Sequence, residues 1–247
     1  MTRGSREARI FKSCILAAVL FAGLAATTHA DDKLTLSGSA SFTTNYEFRG
    51  VSNSSNNPAV QPEIDLKYGM FYAYVWGSNT AFGDHIEIDY GAGITPKWKD
   101  ITVDVSGMAY TYPGGDHIDY FELKTAAVWA KGPWSIGLYN YWSPNNSQLG
   151  TQSDALEGDL AYTFSSKIWN FFSPSVSGVM GSEWYEHENI VPSHLYWNVG
   201  LTLGFLKNWS ADLRYWDTDY SKADCVINSG ARDNCDAKVV GTIKAAF

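Results

Sequence analysis

Three pairs of acidic residues have a spacing that suits contact with cations. In each pair a single residue separates the two acids: Glu63 and Asp65, Glu87 and Asp89, and Glu157 and Asp159. Alternate side chains of a strand point to the same side, so each pair presents its two carboxylates together. A carboxylate is costly in contact with lipid, so this side must face water. The pairs therefore indicate an aqueous path with excess acid, which favours cations or amine-bearing solutes.

Serine and histidine residues offer a second kind of chemistry, the hydrolysis of lipids. Ser182 and Ser193 supply hydroxyl groups, and four histidines lie near the ends of predicted strands: His85, His117, His187 and His194. Adjacency in the sequence does not bring a base to its nucleophile in space. Solvated loop histidines explain the pattern more simply. We predict no catalytic residues and no enzyme, and keep a lipid-modifying enzyme as an alternative function.

The elements that position these residues are strands with period two. The last ten residues, 238–247, alternate between two classes of side chain, and Phe247 ends the chain with an aromatic ring. Similar segments begin at Leu34 and recur at 59–68, 70–78, 85–95, 101–112, 118–130, 134–143, 154–164, 172–182, 194–205, 209–217 and 237–247. Short connections alternate with longer polar ones, as periplasmic turns alternate with external loops. We predict an all-β, transmembrane, antiparallel up-and-down barrel of twelve strands.

The N-terminus has the features of a secretory signal. Basic residues precede an apolar run, Cys14 to Ala26, which is too short to span a membrane as a helix. We predict that residues 1–30 are cleaved and that 31–247 form the barrel in the bacterial outer membrane. The remaining 14 basic and 25 acidic residues give a formal charge of −11, which argues against nucleic acid as a partner.

Aromatic residues and the C-terminus indicate the partners of the barrel. Tryptophans adjoin the short turns and predict a periplasmic girdle at the lipid headgroups: Trp98, Trp129, Trp134, Trp169 and Trp209. A second girdle is predicted at the external ends from Tyr46, Phe48, Trp142, Trp184, Trp197 and Tyr215. Outer-membrane lipid is therefore one partner, and the barrel-assembly machinery, acting on the strand that Phe247 ends, is another. A monomer and a homo-oligomer both fit the pattern.

Two cysteines remain after cleavage, Cys225 and Cys235, in a polar stretch. In an oxidising compartment they predict a disulfide that closes the longest external loop. A metal site with neighbouring aspartates would lack histidine and any recognised spacing, so we predict neither a metal nor a cofactor. The loop either folds inward as a constriction or projects from the surface.

The residues of inward parity predict the lining of the lumen. Charged candidates are Glu47, Arg49, Glu87, Asp89, Asp104, Glu122, Lys124, Glu157, Asp159, Asp212 and Arg214. We favour a narrow, acidic, cation-preferring pore for passive diffusion of small polar solutes. Alternatively, acids and bases pair and fill the lumen, which would leave a structural or adhesive barrel. For Arg49 we expect pairing with Glu47 and the other acids.

Part of the chain resembles a known family. The matching segments are 48–52, 58–61, 69–72, 75–79 and 87–93, which include Phe48-Arg49-Gly50-Val51-Ser52 and Glu87-Ile88-Asp89-Tyr90-Gly91. They resemble the TorF-like porins of proteobacteria, also labelled Gcw_chp, over about the first third of the mature chain. The resemblance implies an outer-membrane diffusion channel of undefined substrate, and it supplies no binding residues. Pro62 departs from the expected glycine, which puts the pairing of the second strand in doubt.

Overall fold

The computed structural model describes residues 33–146 and 149–247. Fifteen strands occur there: β1 (Leu34–Thr43), β2 (Glu47–Phe48), β3 (Val51–Ser52), β4 (Ala59–Tyr68), β5 (Phe71–Asn79), β6 (Ile86–Ile94), β7 (Lys97–Trp98), β8 (Ile101–Thr111), β9 (Tyr120–Lys131), β10 (Trp134–Asn146), β11 (Thr151–Thr163), β12 (Ser173–Tyr185), β13 (His194–Phe205), β14 (Trp209–Thr218) and β15 (Lys238–Ala246). A 3-10 turn covers Gly83–His85 and a helix, α1, covers Lys222–Ser229. The predicted cleaved segment, 1–30, lies outside the described residues.

Twelve of these strands are long and close into one antiparallel barrel. Each pairs with its neighbour in the chain, β6 pairs with β8, and β1 pairs with β15. The first and last strands are joined by two further backbone hydrogen bonds, each 2.9 Å long, between Gly38 and Phe247. Closure leaves no sheet edge unpaired, and it confirms the predicted fold class.

Alternation along each strand sorts the side chains between two environments. On the outward side, large apolar residues are exposed, with Leu36, Met180 and Leu213 at 72, 62 and 61 %. On the inward side, polar residues such as Ser39, Glu87 and Glu122 are buried. This surface is inverted relative to a water-soluble protein, as lipid on the outside requires. No helix in the described part of the chain is long and apolar enough to cross a membrane.

Tryptophans lie at one rim of the barrel as predicted. Trp98, Trp129, Trp134 and Trp209 are exposed beside the short turns, at the ends of the strands. At the opposite rim Trp184 and Tyr215 are also exposed. The prediction was wrong for Tyr46 and Phe48, because β1 ends at Thr43 and both rings turn into the lumen.

The external loops contain structure that the alternation did not predict. Residues 44–58 include the short hairpin of β2 and β3, and the longest loop contains α1. Ser221 caps α1 by accepting a hydrogen bond from the backbone N–H of Asp224, and Gly230 ends the helix with a φ of 75°. Short polar segments of this kind carry no period-two signal, so the sequence showed them only as loops.

Pro62 lies within β4, where it pairs with Ala40 of β1. The pairing of β4 with β5 begins one residue later, at Glu63 and Trp76. Proline lacks the N–H needed for a bond on that side. β4, the second of the predicted strands, is therefore intact. Pro62 marks the residue after which its pairing with β5 begins.

Inward glycines make room for large side chains, and this can be tested at Gly91. A Cβ atom there would overlap the ring of Tyr74, whereas a Cβ at Gly158 would meet nothing within 4 Å. We expect Gly91→Ala to destabilise the folded barrel by about 1–3 kcal/mol, since the ring must leave its position. Urea-induced unfolding in lipid vesicles, followed by tryptophan fluorescence, measures the effect. The matched control, Gly158→Ala, should leave the midpoint nearly unchanged, and equal shifts would contradict the explanation.

Candidate functional site: a hairpin inside the lumen

A hairpin between β1 and β4 enters the external end of the lumen. Its strands, β2 and β3, pair through Glu47 with Ser52 and Phe48 with Val51. The two residues of the turn, Arg49 and Gly50, have φ values of 48° and 80°. Positive φ at both positions is typical of the tightest hairpins, for which glycine is the favoured second residue. The Arg49-Gly50 pair therefore directs the chain inward.

The turn packs closely against two nearby strands of the wall. A Cβ atom at Gly50 would lie 2.8 Å from the Cβ of Tyr196 and 3.0 Å from the Cβ of Thr218, on β13 and β14. Any larger residue would push the hairpin away from these strands. Gly50 is thus required both by its φ and by the space available.

Arg49 makes the central contacts of the lumen. Its Nη1 and Nη2 atoms donate to the two carboxylate oxygens of Glu122 at 2.7 and 2.9 Å, and Nη1 also donates to Glu183 at 2.9 Å. The guanidinium lies 4.6 Å from the ring centre of Phe48 and 4.8 Å from that of Tyr141. Glu122 belongs to β9 and Glu183 to β12, so one side chain ties the hairpin to the far wall. Paired forks of this type are strong and directional.

A buried histidine fixes the backbone of the turn. The Nε2 atom of His194 lies 2.9 Å from the carbonyl oxygen of Arg49 and therefore donates to it. Its ring stacks on Tyr220, with ring centres 4.1 Å apart. His194 thus faces the lumen and not lipid.

The disulfide-closed loop covers the hairpin from outside. Cys225 and Cys235 are disulfide-bonded, and Val51 packs against both. The N–H of Ser52 donates to the carbonyl of Asn234 at 2.8 Å. The longest loop therefore lies as a cover over the hairpin, while the segment that enters the lumen belongs to the first external loop.

The root of the hairpin carries an ion pair with the last strand. Lys238 Nζ lies 3.1 Å from Glu47 Oε1 and 2.7 Å from Asn56 Oδ1. Glu47 belongs to the hairpin and not to a membrane-spanning strand. Burial raises the pKa of Glu47 to about 7, and the Lys238 ammonium opposes that rise. The carboxyl therefore exchanges its proton near neutral pH.

Aromatic side chains fill the space around the hairpin. Met108, Tyr110, Tyr112 and Tyr120 form a buried cluster, against which Phe48, Tyr74, Phe82, Ile118 and Tyr141 pack. Tyr110 also donates its hydroxyl to Glu122 at 3.0 Å. The external half of the lumen is accordingly narrow and rich in hydroxyl groups.

The periplasmic half is more open. A cavity of about 490 Å³ lies there, lined by Ser37, Glu63, Asp65, Leu66, Lys67, Tyr72, Tyr74, Thr95, Asp104 and Lys124. Asp104 pairs with Lys124 at 2.7 Å and accepts from the Tyr72 hydroxyl at 2.9 Å. Arg214 pairs with Asp212 at 3.1 Å, and the Tyr196 hydroxyl donates to Glu157 at 2.7 Å. The half-buried pair of Asp104 and Lys124 thus lines a water-accessible space.

The predicted lining residues divide between these two levels. Near the hairpin lie Glu47, Arg49, Glu87, Asp89 and Glu122. Towards the periplasm lie Asp104, Lys124, Glu157, Asp159, Asp212 and Arg214. Arg49 pairs with acids of the lumen as expected, although with Glu122 and Glu183 and not with Glu47. Whether these residues line a conducting path stays a prediction.

Sequence reasoning missed Glu183 and the role of His194. The predicted ninth strand ended at residue 182, whereas β12 continues to Tyr185. Extending its alternation by one residue would have placed Glu183 on the inward side. The serines of the hydrolase alternative donate elsewhere, Ser182 to the carbonyl of His194 and Ser193 to Glu188. Among the described hydrogen bonds, neither serine hydroxyl meets a histidine ring.

A family model matches residues 27–247, nearly all of the sequence. Its description is Gcw_chp, a bacterial protein of unknown function. The chain belongs to this family. A bacterial Gcw_chp barrel with an apolar outer surface and a polar lumen is of the outer-membrane type, so the protein lies in the bacterial outer membrane.

Solved structures share the fold of this Gcw_chp protein. The KdgM porin has a TM-score of 0.58 at 10 % identity, over 85 % of this chain and 99 % of its own. The KdgM porin in complex with disordered oligogalacturonate has a TM-score of 0.55 at 10 % identity, over 86 % of this chain and 99 % of its own. The NanC porin has a TM-score of 0.51 at 13 % identity, over 86 % of this chain and 99 % of its own. At identities this low, the similarity shows a shared fold alone. Among curated proteins, none matches the chain.

The contacts of Arg49 with Glu122 and Glu183 predict that removal of the Arg49 side chain strongly lowers the stability of the barrel. Arg49→Ala would leave Glu122 and Glu183 buried without their counter-charge, so we expect a loss of about 3–5 kcal/mol in unfolding free energy. Urea unfolding in vesicles, read by tryptophan fluorescence, provides the measurement. Arg232→Ala is the control, because Arg232 is exposed in the external loop, and it should change the stability by less than about 0.5 kcal/mol. Similar values for the two variants would contradict the structural role given to Arg49.

Proposed function

We propose that this protein is an outer-membrane channel for passive diffusion of small polar solutes, with a preference for cations, and that the hairpin narrows its external mouth. The observation that carries the proposal is the inward face of the barrel. Polar and charged side chains occupy that face on strand after strand, while the outward face is apolar. A lumen of this composition holds water, which a diffusing solute needs.

The charge of the lumen supports cation preference. Inward acids are Glu47, Glu63, Asp65, Glu87, Asp89, Asp104, Glu122, Glu157, Asp159, Glu183 and Asp212, and inward bases are Arg49, Lys67, Lys124, Arg214, Lys238 and Lys244. Four of the bases are engaged in ion pairs with acids of the lumen. The remaining negative charge attracts cations, an effect that weakens with salt.

The hairpin is the part of the lumen suited to movement. Its ends leave from β1 and β4, which are neighbours, so the loop can swing about that seam without breaking the barrel. Besides the packing of Phe48 and Gly50, its contacts with the wall are hydrogen bonds and ion pairs, for which water offers alternative partners once the hairpin moves. In the present arrangement the external half is narrow, and displacement of the hairpin would join the periplasmic cavity to the outside.

Conductance in a planar bilayer tests the channel directly. We expect the refolded protein to give discrete steps, with a reversal potential in a salt gradient that indicates cation preference. Glu63→Gln together with Asp65→Asn should lower this preference, since both acids line the open cavity. If both the unmodified protein and Arg49→Ala are folded but conduct no current, the proposal is contradicted and a filled structural barrel is favoured.

The cover formed by the disulfide-closed loop gives a separate prediction. Cys225→Ser with Cys235→Ser should loosen the loop that packs on Val51, so the hairpin should leave its position more often. The expected result is a larger fraction of time in the open state at unchanged step size. Arg232→Ala, which changes an exposed residue of the same loop and leaves the disulfide intact, is the control. An open fraction equal to that of the unmodified protein would show that the cover does not hold the hairpin.

A further inference from the structure

A groove crosses the lipid-facing side of the barrel on strands β11, β12 and β13. Its volume is about 880 Å³, and it is lined by Gly158 and Gly178, both of outward parity. Gly158 pairs with Met180 of β12. Gly178 pairs with Leu160 of β11 and with Val199 of β13. The two glycines are therefore diagonal neighbours, and they leave a depression between large apolar side chains.

Aromatic side chains line the periplasmic end of the groove. Trp134, Tyr162 and Phe164 form a row in which consecutive rings meet edge-on, with centres 4.6 and 4.9 Å apart. Gly178 lies roughly 17 Å along β12 from Ser173, where that strand begins. The groove thus runs from the interior of the membrane to its periplasmic surface. Amphipathic rings such as these prefer the level of the lipid headgroups.

Basic residues lie at the turns beside this end of the groove. Lys167 belongs to the turn between β11 and β12, and Lys207 to the turn between β13 and β14, and both are exposed. The rings of Phe172 and Phe205 lie 6.0 Å apart, so the two turns adjoin. Neither turn contains an acidic residue. In the described part of the chain, neither lysine takes part in an ion pair. Two positive charges therefore flank the groove where a headgroup would lie.

We propose that this groove binds an anionic phospholipid of the periplasmic leaflet, with an acyl chain along Gly158 and Gly178 and the phosphate group at Lys167 and Lys207. Within a bilayer an acyl chain gains little by exchanging lipid for protein, so retention of one lipid needs close packing and charge. The depression at the two glycines supplies the packing. The lysines supply the charge, because basic residues at the membrane surface attract anionic headgroups.

A second copy of the chain is the alternative occupant of a lipid-facing groove. Copies related by a two-fold axis would place the same surface patch of each against the other. Lys167 and Lys207 of one copy would then face the same lysines of its partner, which is unfavourable. The charge at the rim therefore favours a lipid. Binding of this lipid does not depend on whether the barrel conducts.

Native mass spectrometry of the refolded protein in detergent tests the site. The protein is titrated with phosphatidylglycerol and, separately, with phosphatidylcholine of the same acyl chains, which has no net charge. We expect one phosphatidylglycerol molecule to be retained, with an affinity about tenfold higher than that of phosphatidylcholine. Equal affinities for the two lipids, or no retained lipid, would overturn the proposal. So would a dimer that forms without lipid and is lost when the groove is filled.

Substitutions separate the groove from the general charge of the rim. Gly158→Phe fills the groove, since a Cβ atom at Gly158 meets nothing within 4 Å, and it should weaken phosphatidylglycerol binding several-fold. Lys167→Gln with Lys207→Gln should weaken binding about tenfold. Lys97→Gln with Lys99→Gln is the matched control, because it removes two charges from the same rim at the turn that contains β7, away from the groove. The control should leave the affinity unchanged.

The comparison of these variants decides the outcome. If the two lysine pairs lose affinity equally, the rim attracts lipid through its general charge and the site is overturned. If Gly158→Phe binds phosphatidylglycerol as the unmodified protein does, the acyl chain does not occupy the groove and the site is overturned as well. Should Gly158→Phe fail to refold, the two lysine pairs still test the proposal.

Discussion

The contact of Arg49 with Glu122 and Glu183 determines the arrangement of the external lumen. A guanidinium buried at this depth needs carboxylates around it, and the two acids need the guanidinium equally. Neither partner can be satisfied unless the hairpin folds inward. Gly50, His194 and the aromatic cluster then complete the surroundings of this one charge. The hairpin is thus held by this buried charge cluster together with the packing of Phe48 and Val51.

The barrel lies between two media, and its side chains follow from that position. Lipid outside requires apolar residues and a closed ring of strands, because no backbone group can be left without a partner. The inside has no such requirement and can accept charge. Two acid–base pairs in the periplasmic half, Asp104 with Lys124 and Asp212 with Arg214, are partly exposed, whereas Glu87 and Asp89 are enclosed without a base. The periplasmic half of the lumen is therefore accessible to water, whereas side chains enclose the external half.

The sequence predicted the barrel well because period two is imposed by lipid and water on every strand. Strands such as Ala59–Tyr68 and His194–Phe205 agree with the predicted bounds, and the disulfide of Cys225 and Cys235 is present. The inward course of the first loop was not predicted, since a polar loop looks the same whether it faces bulk water or a polar lumen. Tyr46 and Phe48 continued the alternation of β1 beyond its true end and so were assigned to the wrong side. Glu183, the partner of Arg49 on β12, was missed because the predicted ninth strand was ended at residue 182. A single sequence carries no signal that shows which side chains meet across a lumen.

The hairpin contacts connect residues that are far apart in the chain. Arg49 meets Glu122 and Glu183 across separations of 73 and 134 residues. Contacts of such long range carry a larger loop-closure entropy than local contacts do. The wall that receives Arg49 must already exist, and β12, β13 and the cover after β14 come from the second half of the chain. The inward position of the hairpin therefore depends on strands from both halves of the chain, and a change in the distant wall can reach the external mouth through one side chain.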